Sequence, residues 1–89
     1  MALDLAYLVL ERCPLRGQLF RALLIVALDA DDKDYVQISV RKLARWGRFT
    51  KRHAQEMFEQ LQRQGWLLRA YERGDSRARR LVIRRRLLS

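Results

Sequence analysis

From Ala2 to Arg12 the chain is apolar on almost every side: Leu3, Leu5, Ala6, Tyr7, Leu8, Val9 and Leu10 are interrupted only by Asp4 before Glu11 and Arg12 close the run. The spacing predicts a short helix that needs cover on more than one face, because an ordinary surface helix shows a single apolar stripe. Burial within its own domain and pairing of two copies through Leu3, Leu5 and Val9 are the two ways to supply that cover. Pro14 breaks the pattern, and Leu15 to Leu28 restarts it with Leu19, Phe20, Leu23, Leu24, Val26, Ala27 and Leu28, as a central core helix should.

The next stretch is short and polar. Asp29, Asp31, Asp32 and Asp34 are spaced like the opening of a calcium loop, but Lys33 stands at a ligand position, Asp34 replaces the turn glycine and Val40 replaces the closing glutamate, which makes it a solvated loop. Tyr35, Val36, Gln37 and Ile38 form a β-prone run, and Ser39 is placed to cap the helix that follows. Val40 to Trp46 predicts a brief helix with Val40, Leu43 and Ala44 inward and Arg41, Lys42 and Arg45 outward, ended by Gly47. Thr50 is the natural cap of a longer helix that runs to about Gln64 and stops at Gly65. On this helix Ala54, Met57, Phe58 and Leu61 share a narrow arc that packs, whereas Arg52, Gln55, Glu56, Glu59 and Arg63 lie opposite. Arg52 with Glu56, and Glu59 with Arg63, are each four apart and suited to pairing on the surface.

Two further β-prone runs, Trp66 to Glu72 and Ala78 to Leu87, flank the turn residues Arg73, Gly74, Asp75, Ser76 and Arg77, and so predict a hairpin. In its second strand Leu81, Ile83 and Leu87 alternate toward the core, while Arg80, Val82, Arg84 and Arg86 take the other face.

Composition sharpens this picture. With 89 residues there is room for one domain, and 49% hydrophobic content with a single proline argues for a globular fold. The charge is lopsided: residues 41–89 carry 15 Lys and Arg against 4 Asp and Glu, or +11, and residues 1–40 carry 4 against 6, or −2, which together make the net +9. Sixteen of the nineteen basic residues are arginine, the side chain suited to bidentate contact with phosphates and base edges. Seven arginines fall between Arg73 and Arg86, more than charge-guarding of an edge strand requires. A polyanion is the partner such a chain implies. The longest apolar run, Ala22 to Leu28, is too short to cross a membrane, and the start of the chain lacks the basic residues of a signal peptide. One cysteine, Cys13, leaves no internal disulfide and suits a reducing cytoplasm. No residue set at metal-ligand spacing, no phosphate-binding glycine loop and no nucleophile triad is present, so no cofactor and no enzymatic activity are expected; His53 reads as a polar helix residue or phosphate donor.

From Ile38 to Arg86 the residues resemble the winged-helix DNA-binding families found in bacterial and phage regulators and in plasmid or phage replication initiators. Leu43 and Ala44 sit where those families place the contact between helices, and Phe49 and Thr50 match the apolar residue and cap that open the recognition helix. Ala54, Phe58, Leu61, Gly65 and Trp66 to Leu68 match the rhythm of recognition helix, glycine and first wing strand. One departure stands out: the turn glycine of those families would fall at Arg48, and this chain has Gly47 instead.

The resemblance implies a mainly α protein with a small β-hairpin, an α+β winged helix-turn-helix with an extra N-terminal helix. Residues 1–13 would form the added helix, residues 38–65 the helix-turn-helix and residues 66–88 the wing. It implies double-stranded DNA as partner, with Lys51, Arg52 and Gln55 at the start of the recognition helix reading bases beside Thr50. Arg41, Lys42, Arg45 and Arg48 would flank the groove, and Arg77, Arg79 and Arg80 of the wing would hold phosphates. A small transcriptional regulator or mobile-element accessory factor fits a chain with no room for a sensing domain. The exposed Glu56 and Glu59 and the apolar first helix keep a second class open, a winged helix used as an adaptor or inhibitor on a protein partner. RNA binding is a third, although the chain lacks the exposed aromatic platform of single-strand readers.

Overall fold

The computed structural model of the chain describes residues 3–31, 34–36, 38–71 and 79–88, with the backbone alone described at 69–71, 79–81, 85 and 88. It is mainly helical, with a small antiparallel sheet. The order is α1 (Leu3–Arg12), α2 (Gly17–Asp29), β1 (Tyr35–Val36), α3 (Val40–Gly47), α4 (Lys51–Arg63), β2 (Leu67–Tyr71), β3 (Arg79–Ile83) and a 3-10 turn (Arg85–Leu88).

α2 is the hub, packing against α1, β1, α3 and α4. Its Ala22, Leu23, Val26 and Ala27 are wholly buried, and Leu43, Ala54, Leu61, Leu67 and Ile83 close around them. The helix starts at Gly17, two residues after the expected Leu15. Arg16 is still extended, and Gly17 adopts φ +67, a conformation that glycine enters without strain.

α1 answers the question its sequence posed. Leu5 and Val9, expected as part of a contact between two copies, are fully buried inside this chain, against α2 and the 3-10 turn. Burial of each such side chain contributes roughly 1.5–3 kcal/mol. The face left exposed carries Leu3, Tyr7 and Leu10, spaced one turn apart. Of the three residues expected to pair two copies, only Leu3 is therefore accessible.

The acidic segment serves the loop that leads into β1. Asp31 Oδ1 accepts from the Tyr35 N–H at 2.9 Å, and the Tyr35 carbonyl accepts from the Asp31 N–H, also at 2.9 Å. Among the described residues no cluster of His, Cys, Asp and Glu could hold a metal ion. Nor is any described helix long and apolar enough to cross a membrane.

The sheet order is β1-β3-β2, so the last strand in the chain lies in the middle. Tyr35 pairs with Val82 and Val36 with Leu81, while β2 and β3 run antiparallel from Leu67 opposite Ile83 to Tyr71 opposite Arg79. The hairpin strands are shorter than the sequence suggested. Trp66 is buried just before β2, where its N–H closes the end of α4. After Ile83 the Arg84 N–H reaches the Trp66 carbonyl at 2.9 Å and the chain coils into the 3-10 turn, so Leu87 is exposed instead of alternating into the core.

Candidate nucleic-acid interface

Two capped helices and the turn between them organise the basic residues. Ser39 Oγ accepts from the Lys42 N–H at 3.1 Å and starts α3; Thr50 Oγ1 accepts from the His53 N–H at 3.1 Å and starts α4. Each cap satisfies a backbone donor that the helix leaves unpaired, worth about 1 kcal/mol. Thr50 is thereby committed to the helix start, although it stays on the exposed side of the turn. α4 buries Ala54, Met57, Phe58 and Leu61 and exposes Lys51, Arg52, Gln55, Glu56, Glu59 and Arg63, the division its periodicity predicts.

The turn between the helices carries the departure noted above. Arg48 takes the left-handed conformation, φ 56 and ψ 40, and the N–H of Phe49 bonds to the Ala44 carbonyl at 2.9 Å. The position where the winged-helix families that the sequence resembles would place glycine thus has a glycine-like backbone and an exposed arginine. Gly47 is needed for another reason: a Cβ there would collide with Phe49 Cε2. The Phe49 ring folds back over Gly47 and meets the His53 ring edge-on, with centroids 5.4 Å apart.

Of the α3 residues, Arg41 and Arg45 lie exposed on one flank. Lys42 is on the other. Its ammonium sits 2.8 Å from Asp29 Oδ1 and 4.5 Å from the centroid of the Trp46 ring, so it ties α3 to the end of α2. On α4, Arg52 Nε lies 3.6 Å from Glu56 Oε1, the pairing that four-residue spacing suggested. Glu59 Oε1 accepts from Gln55 Nε2 at 3.3 Å, taking the place of the suggested partner Arg63. Each acid on the outer face of α4 is therefore engaged by a residue of the same helix. Of the wing residues, Arg77 lies outside the described residues; Arg79 and Arg80 begin β3, opposite Tyr71 and Ala70, and their side chains are likewise outside the description.

The start of α2 joins this surface, which the sequence did not suggest. Gln18 Oε1 lies 2.5 Å from His53 Nε2, and the Arg21 guanidinium is 4.8 Å from the centre of the Phe49 ring. His53 Nδ1 also faces Glu56 Oε2 at 3.7 Å, so His53 links α2 to the outer face of α4. The only sequence signal was that α2 carries no acid before Asp29 and has Arg16 and Arg21 at its beginning.

No protein-family model, no curated protein and no solved structure matches the chain.

Proposed function

We propose that the chain is a winged helix-turn-helix protein that binds double-stranded DNA in the cytoplasm, as a small transcriptional regulator or mobile-element accessory factor without catalytic activity. The observation that carries this reading is the element order α2-β1-α3-α4-β2-β3 with sheet order β1-β3-β2, in a chain whose exposed α4 start bears Lys51, Arg52 and Gln55. In this reading the first turn of α4 enters the major groove and Arg41, Arg45 and Arg48 neutralise phosphates beside it. Glu56 and Glu59, held by Arg52 and Gln55, stay clear of the backbone, so α4 approaches with its beginning and not along its length.

The test is binding of the pure protein to a labelled random-sequence DNA duplex over a range of salt concentrations, with an RNA duplex alongside. Tight binding at low salt, with log K falling by about 0.9 per log salt for each neutralised phosphate, supports the reading. Arg52→Ala should then weaken the preference for a selected site over random duplex. Absence of DNA binding at low salt would overturn it. A second reading, a winged helix that docks on a protein, is favoured by one observation: Leu3, Tyr7 and Leu10 expose one apolar face of α1.

A further inference from the structure

The outer surface of α4 is mixed in sign, and Lys42 is occupied by Asp29, which leaves the helix pair α3 and α4 with fewer free cations than its sequence promised. The beginning of α2 makes up the difference. We propose that Arg16, immediately before α2, and Arg21 in its first half are phosphate-contacting residues, so that the DNA surface runs from the start of α2 across the Arg48 turn to the start of α4. This inference rests on the DNA-binding reading above and extends it to an element outside the helix-turn-helix and the wing.

Three observations carry it. Gln18 is in hydrogen-bond contact with His53, which fixes the beginning of α2 against the first turn of α4. Arg21 stacks over Phe49, the residue next to Arg48, and is still exposed, so its guanidinium keeps open hydrogen-bond donors. No acid occurs in α2 before Asp29 at its far end, and the acid facing His53, Glu56, is also faced by Arg52. A phosphate strand that passes the start of α4 would therefore meet Arg21, one turn on from Gln18, and the exposed Arg16 just before the helix, two residues from Gln18, without meeting an unpaired carboxylate of these two helices. The stacked guanidinium is held in place before binding, which lowers the entropy lost on contact.

The experiment measures the salt dependence of binding to a random-sequence duplex for the unaltered protein, Arg21→Lys, Arg21→Gln, the double variant Arg16→Gln with Arg21→Gln, and Arg12→Gln. Arg12 is an exposed arginine at the end of α1 and controls for net charge alone. Thermal unfolding of each variant, followed by circular dichroism, reports folding separately. The double variant should bind with a slope shallower by about 1.8, or about 0.9 for each lost contact, while Arg21→Lys and Arg12→Gln keep the original slope. If the double variant folds and keeps the original slope, or if Arg12→Gln lowers the slope as much as Arg21→Gln does, the inference is overturned and the DNA-binding reading stands. Should the stacking prove essential to folding, Arg16→Gln alone must still make the slope shallower by about 0.9. If the unaltered protein binds no DNA at low salt, both fall together.

Discussion

At the end of α4 the Trp66 N–H reaches back to the Leu61 carbonyl over Gly65, at φ 84; at the end of α3 the Phe49 N–H reaches back to the Ala44 carbonyl over Arg48, at φ 56. The two closures share this outer hydrogen bond and differ in the residue at the left-handed position, whose own N–H reaches Gln62 at Gly65 and Ala44 at Arg48. Glycine bears that conformation freely, whereas a side chain there costs about 1–2 kcal/mol. At Gly65 the local requirement and the residue agree, and the Arg84 guanidinium lies 3.3 Å from where a Cβ would stand. At Arg48 they conflict. The strain sits at an exposed arginine in the turn between two helices, one of the residues that the proposed DNA reading places beside the groove.

Substitutions at four positions around these two ends would break or sharpen the comparison. Gly47→Ala should have the largest effect, a loss of about 2 kcal/mol in denaturant unfolding, because its Cβ would drive the Phe49 ring off Arg21 and His53. An unchanged midpoint would mean that the ring has another place to go. Gly65→Ala should cost about 1–2 kcal/mol for the left-handed backbone, and less than Gly47→Ala because a flexible guanidinium can move aside. Thr50→Ala removes the cap of α4 and should cost about 1 kcal/mol, while Thr50→Ser restores most of it. Arg48→Gly should move the other way. Relief of about 1–2 kcal/mol, less about 0.4–1 kcal/mol for a freer unfolded chain, leaves a net gain of about 0–1.6 kcal/mol. The same variant should bind duplex DNA with a salt slope shallower by about 0.9. Stability and binding moving in opposite directions at this one position would establish the conflict; a destabilised Arg48→Gly would remove it.

The smallest effect concerns Cys13. Desolvation by burial is the main cause that holds its thiol above the ordinary value, partly offset by a backbone hydrogen bond at Leu15. A raised folded pKa means that the native state holds its proton longer than the unfolded chain, so this contribution to stability is complete below the ordinary thiol range and is lost as pH rises through the folded value. At neutral pH the measurable consequence is slower alkylation of Cys13 in the native protein than in urea.

Much of the helix pair was legible in the sequence because its signals are local. Ser39, Thr50 and Gly65 act on backbone groups within four residues of themselves, and the packed arc of α4 follows from period alone. What escaped depends on distant partners. Lys42 has the spacing of an outward residue on α3, but its partner Asp29 lies at the end of α2, 13 residues away. Gln18 and His53 are 35 residues apart, and nothing in either helix alone announces their contact. α1 was ambiguous for a different reason. Apolar nearly all round, it gave no phase by which to tell the buried Leu5 and Val9 from the exposed Tyr7 and Leu10, and only packing against α2 decides. The hairpin pattern likewise extended through Leu87, where the chain in fact leaves the sheet at Arg84.

Because β3 lies between β1 and β2, the sheet is completed by the last of its strands to be synthesised. Until β3 is made, both outer strands lack a hydrogen-bonding neighbour. A message broken before the codon for Arg79 would therefore yield a helical product with two unpaired strand edges, a natural substrate for proteolytic quality control and not a slightly shortened binder.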